Sequence, residues 1–279
     1  MQKIDESILS EVIHKRPDIS YKGNYGRILI IAGSTHFGGA ALMSARAAVN
    51  SGAGLVTVAT VPEKFTAINV DIPEAMTIDY NNLQDLDESI QKNNVIVIGP
   101  GLGSSDSTVN LIKTVIKNIS DQIIIMDASA LTMVSEKKID LNAIKNLILT
   151  PHQGEWQRLS GLKIPDQTSK NNLKKINSLA PNSLLIVKKH LSEIYYQNNV
   201  YQLLNGNPGM ATGGMGDTLT GIIAAFVGQF GFSLKVVSAA LYLHSHIADK
   251  IYQKDYVVLP TKLASKIPQT MQKFACSKK

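Results

Sequence analysis

The sequence predicts an α/β fold of three layers, a mostly parallel central sheet flanked by helices. Three observations carry that expectation. Short β-branched runs alternate with longer helical stretches almost from end to end of the 279 residues. Several of the runs are continuously apolar, the pattern of strands covered on both faces. The stretches between them are long enough to hold the helical crossovers that parallel neighbours need. A chain of this length, 44 % hydrophobic, buries a sizeable core and sits near the upper limit for one domain, so residues 1–279 are expected to form a single domain.

The first strand is read in RILIIAG (27–33), followed by a small-residue helix in GGAALMSARAAVNSGAG (38–54). LVTVAT (55–60), AMTIDY (75–80) and NVIVIG (94–99) are the next three strands. A helix is expected in STVNLIKTVIKNIS (107–120), then strands in QIIIMD (122–127) and NLILTP (146–151), a helix in SKNNLKKINSLA (169–180) and a strand in SLLIVK (183–188). Most helical stretches carry Ser, Asp or Gly near their start. After residue 190 the pattern changes: EIYYQNNVYQLLNG (193–206) reads as a hairpin around Asn198 and Asn199, which gives the sheet an antiparallel margin. Two helices follow, GMGDTLTGIIAAFVGQF and SLKVVSAALYLHSHIADKIYQ, and a last one begins after Pro260. No internal repeat, low-complexity tract or Pro/Gly/Ser linker marks a boundary.

Composition removes several function classes. The net charge is +6, but the lysines fall in pairs (Lys137 and Lys138, Lys174 and Lys175, Lys188 and Lys189, Lys278 and Lys279) rather than in a stripe. No nucleic-acid partner is expected from that distribution, whereas anionic small molecules suit the charge. The single cysteine, Cys276, has no partner within the chain, which points to a reducing compartment, the cytoplasm. MQKIDESILSEVIHKRPD lacks the order of a signal peptide, and no apolar run is long enough for a membrane span, so no membrane partner is expected.

In an open α/β sheet, ligands bind beyond the carboxyl ends of the strands. After the first strand comes GSTHFGGAA; it almost meets the spacing of a phosphate loop, but Gly39 stands where the lysine belongs, and G-x-G-x-x-G is absent. A tight turn with close helix packing and a ligand contact at Ala41 are both open there. GPGLGSSD (99–106) places Gly103 at a second strand end as a ligand contact. QIIIMD ends in Asp127, and NLILTP runs into His152 and Glu155 at a helix start, where a dipole complement competes with a functional role. His244 and His246 are two apart on one helix, hence on different faces, and read as core or surface residues rather than zinc ligands. No C-x-x-C or G-x-S-x-G motif is present.

The sharpest signal is NPGMATGGMGD (207–217). With Gly213, Gly214 and Gly216 lacking side chains, consecutive N–H groups can converge at a helix start and form an anion hole for phosphate oxygens. Asp217 follows at once. A helix cap would explain the acid, but Ser or Thr caps without repelling phosphate. An acid beside an anion hole fits a base: a substrate hydroxyl approaching phosphorus gives it a proton while the N–H groups hold the developing charge. The residues therefore point to phosphoryl transfer to an alcohol.

G-G-M-G-D resembles the ribokinase-like superfamily. The longer string N-P-G-M-A-T-G-G-M-G-D-T-L-T-G, with T-P-H-Q-G-E (150–155), G-P-G-L-G (99–103) and K-G-N-Y-G-R (22–27), is similar to the ADP-dependent NAD(P)H-hydrate dehydratases over nearly the whole chain, without the epimerase domain that some relatives carry. The resemblance implies a ribokinase-like fold and a lyase that repairs hydrated NADH and NADPH, the S epimer. It phosphorylates the ring hydroxyl from ADP or ATP, and loss of phosphate restores the double bond. By likeness, Ala41, Gly103, His152 and Asp217 contact the hydrate, with Asp217 the catalytic base. Lys188, Lys189, His190, Leu191, Ser192 and Gly216 hold the nucleotide. The phosphates carry Mg2+, which Glu155 helps place through water, and the likeness also implies a homo-oligomer.

Two departures stand out. The family usually reads D-A-D-A-L where this chain has Asp127, Ala128, Ser129, Ala130 and Leu131, so a second acid is missing. It reads K-G-x-x-T where this chain has Lys188, Lys189, His190, Leu191 and Ser192, so that Lys189 either crowds the nucleotide or adds a phosphate contact. A kinase for a small alcohol uses the same Asp217 and anion hole, and a nucleotide sensor without catalysis would retain binding alone.

Overall fold

The computed structural model describes residues 1–275; Cys276 and the pair Lys278 and Lys279 lie outside the described residues. The chain opens with β1 (Gln2–Ile4) and α1 (Ser7–Val12), then runs β2 (Arg27–Ile31), α2 (Gly38–Asn50), β3 (Leu55–Thr60), α3 (Phe65–Asp71) and β4 (Ala75–Asp79). Next, α4 (Leu83–Lys92) leads to β5 (Val95–Ile98), α5 (Asp106–Asn118) to β6 (Ile123–Met126), and α6 (Ser129–Lys137) to β7 (Asn146–Leu149). Two helices, α7 (Gln153–Ser160) and α8 (Ser169–Leu179), precede β8 (Leu184–Val187), β9 (Glu193–Tyr196) and β10 (Asn199–Leu203). Finally come α9 (Met215–Phe230), α10 (Leu234–Tyr252) and α11 (Pro260–Ala275).

The strands form one sheet in the order β1-β10-β9-β8-β7-β6-β5-β2-β3-β4, and only β9 runs against its neighbours. Every strand expected from the sequence is present, at its expected length or trimmed at the ends. Two details differ. The hairpin turns on Gln197 (φ 52°) and Asn198, because Asn199 already pairs with Tyr196 inside the ladder. The antiparallel strand is also not the margin, since β10 and then β1 lie outside it. Only Ile4 of the three β1 residues is buried, too short a run to announce a strand by periodicity.

Side-chain alternation along the strands divides the core in two. Ile28 and Ile30 face α2, α9, α10 and α11, while Leu29 and Ile31 face α4, α5 and α6. This makes the helix–sheet–helix sandwich expected of the sequence. Among the first group, α2 and α9 pack so closely that a methyl group on Gly221 would overlap the Ser44 carbonyl. Two long helices can approach this far only where one of them lacks a side chain.

The chain leaves β2 toward β3 and β4 on one side and returns to β5 on the other, so the topology switches direction between β2 and β5. The loops after these strands meet across the crevice, with the Gly33 N–H donating to the Pro100 carbonyl at 2.8 Å. Such a switch point is where open α/β sheets bind ligands. The K-G-N-Y-G-R segment lies at the opposite end of β2. There Gly26 backs onto Gly228, where a Cβ would come within 2.8 Å, and a cavity of about 900 Å³ opens beside Arg16, Tyr25 and Phe230. That segment therefore serves packing, and none of the expected site residues lines its cavity.

Candidate active site

Among the described residues, five helices begin on a side-chain cap: Asn82 for α4, Ser105 for α5, His152 for α7, Thr168 for α8 and Ser233 for α10. Helix α9 does not. Its N-cap is Gly214 at φ 94°, with no side-chain cap hydrogen bond, as is also true of α1, α2, α3 and α6, so no capping side chain occupies its first-turn N–H groups. The three glycines differ in what requires them. Gly214 needs its left-handed backbone, and a side chain there would strike Met43; a Cβ on Gly213 would meet no protein atom within 4 Å. Packing explains Gly214, whereas no contact within the protein requires Gly213 to be bare. Gly216 lies between: a Cβ would sit 3.2 Å from Lys188 Nζ and 3.6 Å from Asp127 Oδ2.

Asp217 is the third residue of α9 and caps nothing. Burial pushes its carboxyl up to about 6, with the negative charge of Asp127 adding to the rise and Lys188 opposing it. Asp127, at the end of β6, is 1 % exposed and forms a 2.7 Å ion pair with Lys188 at the end of β8. Lys188 in turn is held beside His152: the two form a parallel bridge, and the Lys188 N–H donates to the Pro151 carbonyl at 2.8 Å. Three strand ends and one helix start thus converge on a cation and two carboxylates. An acid poised near neutrality in a buried site beside fixed donors is suited to taking a proton.

The turn formed by Lys188, Lys189, His190, Leu191 and Ser192 joins β8 to β9. It is tightened by Leu191 at φ 57° and by the Ser192 hydroxyl, which donates to the Lys189 carbonyl at 3.0 Å. His190 is exposed. Lys189 borders the cavity beside this turn, and its ammonium pairs with Glu193 Oε1 at 2.9 Å. Glu193 is 4 % exposed and also accepts from the Tyr195 hydroxyl. Asn172 Nδ2 donates to that hydroxyl at 2.9 Å, and Trp156 Nε1 donates to Asn172 Oδ1 at 2.7 Å. Lys189 is thereby the outer end of a buried polar chain that reaches α7. Between this turn and α9 lies a cavity of about 640 Å³, touching Lys188, Ser192, Asn207, Gly216, Leu219 and His244, a size that suits a nucleotide.

The expected hydrate contacts are placed less evenly. The Gly103 N–H donates to Ser129 Oγ at 3.0 Å, so Ser129 fills structurally the position where a second acid was missing. Ala41 is fully buried, its methyl turned toward Gly33, and presents no surface to a ligand. His152 caps α7, with Nδ1 accepting from the Gly154 N–H at 3.0 Å, while the ring is more than half exposed. Glu155 completes that cap by accepting from the His152 N–H at 2.8 Å. Its carboxylate is thus already engaged, and no group of three His, Cys, Asp or Glu side chains among the described residues could hold a metal ion. A magnesium ion borne by nucleotide phosphates, which is how Mg2+ usually binds, needs no such cluster.

A model of the NAD(P)H-hydrate dehydratase family matches residues 28–269. The chain belongs to the NAD(P)H-hydrate dehydratase family. It is 45 % identical over 276 residues to the ADP-dependent (S)-NAD(P)H-hydrate dehydratase of Lactiplantibacillus plantarum, covering 99 % of this chain and 98 % of that one. A ribokinase-like superfamily protein from Enterococcus faecalis has a similar structure, with a TM-score of 0.95, 41 % identity and coverage of 98 % and 96 % of the two chains. The ADP/ATP-dependent NAD(P)H-hydrate dehydratase of Bacillus subtilis, co-crystallised with ATP/Mg2+, aligns with a TM-score of 0.86 at 26 % identity, covering 97 % of each chain. Among the described residues, no helix of this dehydratase is long and apolar enough to cross a membrane.

Three residues around the candidate site receive no assigned role from the sequence. Asp127 stands out only as a strand-end acid, and its pairing with Lys188 needs β6 and β8 placed on either side of β7. Asn207 and His244 line the nucleotide-sized cavity from a loop and from the middle of α10. No local spacing marks either one. His246, by contrast, lies apart from the cavity, 3.3 Å from Glu6 and edge-on to Phe274.

Proposed function

We propose that this protein dehydrates the S epimer of hydrated NADH and NADPH with ADP or ATP as phosphoryl donor. The reading is carried by Asp217, a carboxyl tuned to about 6 in the first turn of an uncapped, glycine-led helix beside the Asp127–Lys188 pair. The terminal phosphate of the nucleotide lies against the N–H groups of Gly213, Gly214 and Gly216, with Lys188 alongside. The ring hydroxyl attacks phosphorus and gives its proton to Asp217, while the helix start holds the charge that builds on the transferred oxygens. The nucleotide leaves one phosphate shorter.

Phosphate is a good leaving group where hydroxide is a poor one. The lone pair on the ring nitrogen expels it, the resulting cation loses a neighbouring proton to solvent, and the double bond returns. Magnesium, when bound with the nucleotide, neutralises phosphate charge. Lys188, Lys189, His190, Leu191 and Ser192 position the nucleotide, while Gly103 and His152 border the hydrate.

The direct test supplies hydrated NADH, ADP and Mg2+ and follows recovery of near-ultraviolet absorbance. Recovery with release of AMP and phosphate is expected. A stable phosphorylated product without NADH would replace the dehydratase by an alcohol kinase, and nucleotide binding with no turnover would replace both by a sensor.

A further inference from the structure

His244 is buried in the middle of α10, 4 % exposed, yet it borders the cavity between the 188–192 turn and α9. Its Nε2 meets no hydrogen-bond partner. Burial pulls its pKa down to about 4, and the charge of Lys188 acts the same way, so the ring is neutral at physiological pH. A neutral imidazole has one N–H and one lone pair. The ring also hydrogen-bonds the backbone of Met215, which takes up the single proton, so the partnerless Nε2 is an acceptor.

A second acceptor borders the same cavity. Asn207 donates through Nδ2 to Asp249 Oδ1 at 2.7 Å, which fixes the amide and leaves its Oδ1, likewise buried, without a donor. Leu219 and Leu241 supply apolar wall to the same cavity, which Gly216 also borders. A nucleotide whose phosphates reach Gly216 thus meets apolar walls and bare acceptors along the rest of its length in this cavity. Buried acceptors require donors, and a ligand group carrying only lone pairs would be repelled there.

We propose that His244 Nε2 reads the nucleoside end of the bound nucleotide by accepting a hydrogen bond from one of its donors, the adenine amino group or a ribose hydroxyl. This rests on the reading that the 188–192 turn and Gly216 hold that nucleotide. It makes His244 a specificity-determining residue, assigned by burial and an unmet lone pair.

The test measures dissociation constants of ADP, IDP, 2′-deoxy-ADP and 3′-deoxy-ADP, with Mg2+ present, for the wild-type protein, His244→Phe and His244→Gln. IDP carries a carbonyl in place of the amino group, and each deoxy nucleotide lacks one hydroxyl. Wild type is expected to bind ADP roughly five- to tenfold tighter than one of the three, the worth of one buried hydrogen bond. His244→Phe should shrink that gap to about twofold, and His244→Gln, which keeps an acceptor, should retain part of it. In wild type, the 15N signal of His244 Nε2 should move on adding ADP and stay in place with the weakly bound analogue; this measurement stands even where a variant fails to fold. Equal affinity for all four nucleotides, an unchanged gap in His244→Phe, or an Nε2 signal that ADP leaves in place would each overturn the proposal. Wild-type protein that binds no ADP at all would instead refute the nucleotide reading of the turn and cavity, and this proposal with it.

Discussion

Asp217 carries opposing consequences for activity and for stability. Its carboxyl is pushed from 3.8 to about 6 by burial first and by Asp127 second. The folded protein therefore holds a proton that the unfolded chain has released across that interval, and stability falls as pH rises through it. Above about pH 6 the ionised acid costs on the order of 3 kcal/mol. Only the ionised form can take a proton from the hydrate, so kcat is expected to rise with pH and reach half its plateau near pH 6; a profile flat from pH 5 to 8 would remove Asp217 as the base. Asp217→Asn should lower kcat by at least about a hundredfold. The same variant should unfold at higher denaturant concentration than wild type near pH 8 and at the same concentration near pH 4, where the wild-type acid is already neutral. Lys188→Met removes the one cation that lowers the Asp217 pKa, so the acidic limb of its kcat profile should move above that of wild type.

Helix α9 shows how glycines in one element serve different ends. Gly221 sits where α9 crosses α2, and a methyl group there overlaps the Ser44 carbonyl and crowds Ala47 at 2.9 Å. Gly221→Ala should destabilise the fold by about 1–3 kcal/mol or more, read as a lowered Tm. Gly213→Ala places its methyl group in open space, so its Tm without ligand should stay close to wild type while its affinity for ADP falls. A Gly213→Ala protein that bound ADP as wild type does would mean that the phosphate lies elsewhere. The contrast separates a glycine that the core needs from one that no protein contact requires. At the 188–192 turn, the buried chain from Trp156 through Asn172, Tyr195 and Glu193 gives Lys189, set where the resembled family usually reads glycine, an ion-pair partner inside the protein while it borders the cavity.

Across the whole molecule, the proposed site is assembled from β6, β7, β8 and α9, segments spread over residues 127–217 of the chain. Binding there ties their ends together, so ADP with Mg2+ should stabilise the protein by about 3 kcal/mol at a hundred times its Kd. That amounts to a Tm rise of roughly 5–10 °C for a chain of this size, and Gly213→Ala should blunt it. Much of this architecture could be read from the sequence. Strands buried on both faces must be apolar throughout, so runs such as RILII and VIVI announce themselves, and a glycine-rich helix start followed by an acid announces an anion hole with a base beside it. What escaped was set by contacts distant in the chain. The three-residue β1 is a strand only because β10 offers it an edge, and the hairpin strand became internal for the same reason. Local pattern also could not show that Ala41 would be sealed inside the core, that Glu155 would complete the His152 helix cap, or that Asp127 would sit close enough to retune Asp217. The sequence alone determined the layers, the strands and the chemistry of the glycine turn, because these follow from side-chain periodicity and backbone freedom within a few residues. The tertiary structure alone decided which charges meet, which polar atoms lose water and which acceptors face a cavity, because electrostatics and desolvation depend on distances through space that strand order, and not chain order, sets.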